Sequence, residues 1–130
     1  MRALLDTQVW LWWLEDSPRL GRHARQVMAD PANELYLSAA SSWEIAIKCA
    51  LGKLSLPETP EHFVPSRLIR DGILGLAIDH IHALRAGTLP RHHGDPFDRM
   101  LVAQAQVEKL SLISADEKFA LYDVKVIPAG

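Results

Sequence analysis

The sequence predicts an α/β fold in which a central, mainly parallel sheet of about five strands lies between two layers of helices. The first observation is a set of short apolar runs, each of a length that suits a buried strand. Helix-like apolar periodicity fills the stretches between them, and this alternation favours a parallel sheet. The runs span residues 3–5, 35–37, 74–78, 110–113 and 124–127.

Capping side chains followed by good first-turn residues predict where the helices begin. One helix is expected to run from Pro18 to about residue 28, although Gly21 inside it costs about 1 kcal/mol relative to alanine. Ser41 with Glu44 has the form of a capping box at the start of another. The remaining starts are predicted at Thr59-Pro60 and Asp95-Pro96.

The composition indicates one domain that spans residues 1–130. Hydrophobic residues make up 48% of the chain, and no repeat or linker-like segment divides it. The net charge of −2 gives no sign of the basic surface expected of a nucleic-acid-binding protein. Cys49 is the only cysteine, which excludes an internal disulfide or a cysteine-based zinc site and fits a cytoplasmic setting. No apolar run approaches the roughly 20 residues that span a bilayer, so neither membrane insertion nor export is expected.

Acidic side chains follow strands or open helices at four points of this fold. Asp6 directly follows the first strand, Asp116 follows the fourth, and Glu44 follows the second after a short loop. Asp98 lies in the first turn of the helix before the fourth strand, and right-handed crossovers start such a helix near the same edge of the sheet. Because parallel strands share one carboxyl edge, where ligands usually bind, we expect the four carboxylates to meet there. Each acid alone could also be an ordinary helix-start residue, and for Asp95 the capping role is preferred.

A cluster of carboxylates predicts metal chemistry. Like charges within a few ångströms repel one another, so the fold tolerates them only through protonation or a bound cation. Oxygen ligands favour Mg²⁺, with Mn²⁺ as the alternative. Such a site suits phosphodiester hydrolysis, because the metal polarises the phosphate and activates water without a nucleophilic side chain. The histidines show no HExxH spacing, so a histidine-zinc enzyme is not expected.

Four sequence segments together resemble the PIN-domain family, and specifically the VapC-type toxins of bacterial toxin-antitoxin pairs. They are LLDT at the start, SSWEIAIK around Glu44, HGDPFDRMLVAQA around Asp98 and LISAD ending at Asp116, and they extend over nearly the whole chain. The resemblance implies a PIN-like fold and a metal-dependent endoribonuclease. Asp6, Glu44 and Asp98 would form its metal-binding cluster. Asp116 would be the fourth acid, acting directly or through water.

The same resemblance implies several partners. The substrate would be RNA, and the chain would form a homodimer. A cognate antitoxin would inhibit it by laying an extended tail along an apolar groove and over the acidic site.

Hydroxyl and basic side chains surround these acids in the sequence. Thr7 and Ser114 could each orient a carboxylate or cap a turn. Lys48 follows Glu44 by four residues, which predicts a helical ion pair and leaves a phosphate contact as the second option. Two basic groups could bind RNA phosphates, although solvated surface is the usual meaning of such groups. They comprise Arg91, His92, His93 and Arg99 in one segment and Arg19, Arg22, His23 and Arg25 in another.

The sequence leaves three other interpretations open. A catalytically silent PIN-like module that binds RNA or protein would have the same fold, but the presence of all four acids favours activity. A haloacid-dehalogenase-type phosphatase would use Asp6 as nucleophile, yet its second aspartate is missing because position 8 is glutamine. A dinucleotide-binding module is disfavoured since no GxGxxG loop follows the first strand.

Overall fold

The computed structural model describes all 130 residues and has a five-stranded sheet in which every neighbouring pair is parallel, with strand order β3-β2-β1-β4-β5. The predicted α/β class is therefore confirmed. The strands are β1 (Arg2–Leu5), β2 (Glu34–Ser38), β3 (Leu74–Leu76), β4 (Ser111–Ser114) and β5 (Val126–Pro128). The helices are α1 (Thr7–Leu14), α2 (Arg22–Ala29), α3 (Ala39–Ala50), α4 (Pro60–Asp71), α5 (His80–Thr88) and α6 (Pro96–Glu108), with a 3₁₀ turn at Glu117–Leu121. None of these helices combines the length and the apolar character needed to cross a bilayer.

Two hydrophobic cores, one on each face of the sheet, hold the helical layers. The central strand β1 alternates between them: Ala3 and Leu5 belong to one core and Leu4 to the other, and all three are fully buried. Residues of α1 to α4 complete the first core, and residues of α6 with Phe119 and Tyr122 complete the second. Because β1 is covered on both faces, its sequence is a continuous apolar run rather than an alternating one.

The edge strand β3 differs from its prediction. The sequence predicts a buried strand over residues 74–78, but only Leu74–Leu76 pairs with β2, and Leu74 is 47% exposed. β3 has a neighbour on one side only, so its backbone and side chains are covered less completely than those of the central strands. Apolar character alone therefore did not distinguish an edge strand from a central one.

The helix predicted from Pro18 begins instead at Arg22, with Gly21 as its N-cap residue. Gly21 lies against the C-terminal segment: its backbone N–H donates to the Ala129 carbonyl at 2.7 Å, and a Cβ on it would lie 2.6 Å from the Gly130 carbonyl oxygen. Only glycine allows the two backbones to approach this closely, which explains its presence at position 21.

Replacing Gly21 with alanine is expected to lower the free energy of unfolding by about 1–3 kcal/mol, because the new methyl group collides with backbone rather than with a flexible side chain. Gly87→Ala is the matched control. Gly87 lies within α5 with open space where its Cβ would be, so alanine there is expected to raise stability by about 0.5–1 kcal/mol. Urea denaturation measures the free energy of unfolding of both variants. Equal effects of the two changes would contradict the close contact of Gly21 with the C-terminal backbone.

The start of α3 is also earlier than predicted. Ser38 is its N-cap residue and accepts a hydrogen bond from the Ala40 N–H at 3.0 Å. Ser41 and Glu44 therefore lie inside the helix, and the predicted capping box between them is wrong. Each is freed for contacts with other elements. The other two predicted starts, at Thr59-Pro60 and Asp95-Pro96, are confirmed.

Candidate active site

Four carboxylates meet at the carboxyl edge of the sheet. Asp6 follows β1 as the N-cap residue of α1, and Asp116 follows β4 as the N-cap residue of the 3₁₀ turn. Glu44 lies in the second turn of α3, and Asp98 lies in the first turn of α6. All four line one cleft of about 300 Å³. The structure thus brings together the four acids that the sequence placed at this edge.

The Asp6 carboxylate is fixed by a hydroxyl from the neighbouring strand. Ser114 Oγ donates to Asp6 Oδ2 at 2.7 Å and accepts from the Asp116 N–H at 3.0 Å. Ser114 therefore orients an acid, which is one of the two roles predicted for it. The Thr7 hydroxyl donates instead to Ser41 Oγ at 2.7 Å, in a buried hydrogen bond that links α1 to α3.

Glu44 pairs with Lys48 as its spacing predicts. The Lys48 Nζ lies 3.4 Å from Glu44 Oε2, and both side chains line the cleft. Lys48 is the only lysine or arginine in ion-pair contact with any of the four acids. The cluster therefore holds more negative charge than its own cations balance.

Asp95 caps α6, as predicted, and also lines the cleft. Its Oδ1 accepts from the Phe97 N–H at 2.8 Å and lies 3.5 Å from the Asp98 N–H. These contacts fix the first turn of α6 and so determine where the Asp98 carboxylate lies.

His93 is a member of the acidic cluster, not of the basic rim in which the sequence placed it. Its Nε2 lies 2.9 Å from Oδ2 of Asp98 and 2.9 Å from Oδ2 of Asp116. Its side chain is only 10% exposed, so it is not a free cation for a phosphate. The only available signal was its place two residues before the helix cap Asp95, which no periodicity rule singles out.

Arg99 is likewise unavailable to RNA phosphates. Its guanidinium donates to the carbonyl oxygens of Ala86 and Leu89 at 2.8 and 3.1 Å and to those of Pro90 and His93 at 3.1 and 3.4 Å. Arg99 therefore holds the segment from the end of α5 to His93 in place. The sequence predicted a surface cation because nothing in it marks four carbonyls as partners.

The electrostatics of the site reflect crowded, partly desolvated carboxylates. Burial, followed by the charges of Asp6 and Asp95, raises the pKa of Asp98 to about 7. Burial also raises the pKa of Asp6, although the hydrogen bond from Ser114 opposes it. For Asp116 burial acts upward as well, but hydrogen bonds from the Lys118 N–H and from His93 outweigh it and lower the pKa.

These residues could hold a divalent cation. Carboxylate oxygens of Asp98 and Asp116 lie within 4.8 Å of each other, with His93 Nε2 in contact with both, and Asp6 and Glu44 face the same cleft. A predominantly carboxylate donor set, in which burial raises the pKa of Asp6 and of Asp98, suits a hard cation such as Mg²⁺ or Mn²⁺, which would relieve the repulsion. The donor chemistry therefore fits the metal that the sequence predicts.

A second group of ligand-type side chains lies at the C-terminal end of α6. His82 is fully buried; its Nδ1 accepts from the Asp79 N–H at 2.9 Å, and its Nε2 lies 2.9 Å from Glu108 Oε1. Both ring nitrogens are thus used in a capping box that starts α5 and in its link to α6. The contacts of this group stabilise the fold and account for its residues without a metal ion.

The raised pKa of Asp98 predicts that the metal-free protein loses stability as the pH rises. The pKa of about 7 lies above the ordinary 3.8, so between these values the folded state binds more protons than the unfolded state. The contribution of Asp98 to the free energy of unfolding is complete below pH 3.8 and is lost as the pH rises through about 7. In EDTA, Asp98→Asn is expected to gain stability over wild type as the pH increases, with a plateau above about pH 8. Urea denaturation across this range measures the difference, and a constant difference would contradict the assignment.

Comparison with known proteins agrees with this architecture. A model of the PIN domain family matches residues 3–125, and the chain therefore belongs to the PIN domain family. Ribonuclease VapC16 of Mycobacterium tuberculosis (strain ATCC 25618 / H37Rv) is 46% identical over 69 residues, which make up 50% of this chain and 49% of that protein. The match thus spans about half the length of this curated relative.

Solved structures share the fold at low sequence identity. VapBC2 from Rickettsia felis, bound to a DNA fragment from its promoter, has a TM-score of 0.74 at 14% identity over the full length of both chains. VapBC-1 from nontypeable Haemophilus influenzae has a TM-score of 0.66 at 19% identity over 98% of each chain. At these identities the likeness concerns the fold.

Proposed function

We propose that this chain is a metal-dependent endoribonuclease and acts as the VapC-type toxin of a toxin-antitoxin pair. The observation that carries the proposal is the convergence of Asp6, Glu44, Asp98 and Asp116, from four separate elements, on one cleft with a net negative charge. A purely structural role for four such acids would leave their repulsion unexplained. The family membership and the similarity to a ribonuclease support the same conclusion.

Asp6, Glu44 and Asp98 would hold a Mg²⁺ or Mn²⁺ ion, with Asp116 as the fourth acid. The bound cation would polarise the scissile phosphate, lower the pKa of water and stabilise charge on the leaving oxygen. Ser114 keeps the Asp6 carboxylate in its orientation. With a pKa of about 7, Asp98 is partly protonated near neutral pH, so it would release that proton when the cation binds.

The RNA backbone would enter beside Lys48. This side chain lies on the wall of the acidic cleft and, with Gln8 and Leu11, also lines a neighbouring cleft of about 430 Å³. Its ammonium group is therefore placed to contact a phosphate next to the one being cleaved. Most of the attraction for the scissile phosphate would come from the cation, which explains how a chain of net charge −2 could act on RNA.

The neighbouring cleft suits the inhibitory tail of an antitoxin. It is partly apolar, with Leu14, Leu54, Leu56 and Phe63 among its lining residues, and it is continuous with the acidic cleft through shared wall residues. An extended segment lying there would reach the four acids and exclude RNA. We propose the antitoxin as a partner on this basis. The proposal of a homodimer rests on the family resemblance alone, and that of a cytoplasmic location on the single cysteine.

The second candidate function is a catalytically silent PIN-like module that binds RNA or protein. The same cleft would then serve only for recognition, and its acids would still bind a cation. Cleavage activity separates the two functions directly.

The test is cleavage of structured RNAs by purified, antitoxin-free protein with Mg²⁺, Mn²⁺ or EDTA. Wild type is expected to cut with either metal and not in EDTA, and Asp6→Asn is expected to lose activity on the order of 100-fold or more. Asp123→Asn, an exposed acid outside the cleft, is the matched control and should retain activity. Cutting that persists in EDTA, or equally in Asp6→Asn, would come from a contaminant and would favour the binding module.

A further inference from the structure

His93 uses both ring nitrogens, and the two contacts define its protonation pattern. Nδ1 accepts a hydrogen bond from the Asp95 N–H at 3.2 Å. The ring proton is therefore on Nε2, which donates to Asp116 Oδ2 at 2.9 Å. The imidazole thus faces the acids as a donor.

The imidazole is held in place from the other side as well. The His93 backbone N–H donates to Tyr122 Oη at 2.8 Å, and that hydroxyl donates to the Pro90 carbonyl at 2.9 Å. The ring also packs on Phe119, with 5.8 Å between ring centroids. Arg99 secures the same segment through its backbone carbonyls. Side-chain orientation is thus determined by packing before any ligand binds.

The Nε2 atom joins two acids from different elements. Asp98 belongs to α6 and Asp116 follows β4, yet an Oδ2 of each lies 2.9 Å from this one nitrogen. Two carboxylates this close repel unless a donor or a cation lies between them. The fixed imidazole, hydrogen-bonded to Asp116 and in contact with Asp98, therefore lies against both carboxylates in the absence of a metal.

We propose that His93 is a positioning residue: its imidazole holds the Asp116 carboxylate through the Nε2 hydrogen bond and the Asp98 carboxylate through close contact, in the arrangement that the cation requires. It acts through these two acids rather than by binding RNA. The inference rests on the proposed metal-dependent function and adds His93 to its site. Interactions that orient metal ligands in this way typically contribute about 10–100-fold in affinity or activity.

Two substitutions separate this role from a structural one. In His93→Gln the longer amide can still present N–H groups to the two acids but loses the acceptor for the Asp95 N–H. In His93→Asn the shorter side chain can keep that acceptor but does not reach the acids. His80→Gln, at an exposed position at the start of α5, is the control.

The experiment is a calorimetric titration of each variant with Mn²⁺, accompanied by melting curves in EDTA. We expect the dissociation constant to rise about tenfold in His93→Asn and to stay within about threefold of wild type in His93→Gln and His80→Gln. An unchanged constant in His93→Asn, or a loss only in His93→Gln, would overturn the proposal. If wild type itself bound no Mn²⁺ and cut no RNA, the proposed function would fail and the positioning role with it. The two failures are therefore distinguishable.

A second measurement does not depend on the variants folding. Nitrogen-15 NMR of the metal-free wild-type protein reports which ring nitrogen of His93 carries the proton. The Nε2–H tautomer supports the proposal. An Nδ1–H tautomer would overturn it, because the acids would then face an acceptor.

Discussion

Asp98→Asn is expected to abolish metal-dependent RNA cleavage while making the metal-free protein more stable. The asparagine removes a cation ligand, so cleavage should fall on the order of 100-fold or more. It also removes a charge that burial and the neighbouring Asp6 and Asp95 disfavour, as the raised pKa shows. We expect a gain of about 1–2 kcal/mol at about pH 8 in EDTA, or roughly 4–8 °C in Tm.

Asp123→Asn is the control for this prediction, because it removes an exposed negative charge outside the cleft. It should change neither cleavage nor Tm appreciably. If Asp98→Asn lowered the Tm and lost activity for that reason, Asp98 would stabilise the fold, and its charge would not be disfavoured as proposed. Full activity in Asp98→Asn would remove this residue from the site.

Arg99→Leu is expected to be the most destabilising single change proposed for this chain. The guanidinium donates to four backbone carbonyls, those of Ala86, Leu89, Pro90 and His93, and leucine leaves all of them without that partner. Carbonyls on the outer side of this segment can accept hydrogen bonds from water instead. We therefore expect the free energy of unfolding to fall by about 2–4 kcal/mol rather than by the sum of four hydrogen bonds. Urea denaturation at neutral pH measures it.

Arg99→Lys distinguishes the hydrogen-bond network from charge alone. Lysine keeps the positive charge but cannot donate in the planar, forked geometry that reaches four acceptors. We expect the free energy of unfolding to fall by roughly half as much as in the leucine variant. Mn²⁺ binding should also weaken, because the segment that Arg99 holds carries His93. Wild-type stability in the lysine variant would show that charge, and not the geometry of the guanidinium, matters here.

Much of the fold could be predicted because its central strands are buried on both faces. Residues 3–5 and 35–37 are continuous apolar runs, and a central parallel strand requires that pattern. The edge strand β3 and the start of α2 could not be predicted in the same way. Exposure of Leu74 depends on which strand lies beside it, and Gly21 is explained only by its contact with the last residues of the chain.

The candidate site could be predicted in its acids but not in their supporting contacts. Asp6 and Asp116 follow strands directly, and Asp98 opens a helix that begins at the same edge, so topology alone brings them near one another. His93 and Arg99 looked like surface cations because their partners, two carboxylates and four carbonyls, are set by tertiary packing. Their local sequence gives no period or spacing that would reveal such partners.

Metal-dependent cleavage requires that the four acids at the carboxyl edge bind the cation. Crystals of the metal-free protein soaked in Mn²⁺, with data collected at the manganese absorption edge, reveal where the ion binds. We expect an anomalous peak in the cleft between Asp6, Glu44, Asp98 and Asp116. We expect no peak beside Asp79, His82 and Glu108, because both ring nitrogens of His82 are already used in hydrogen bonds. A peak only at the second group, or none in the cleft when Mn²⁺ is in excess, would contradict the proposed site of the cation.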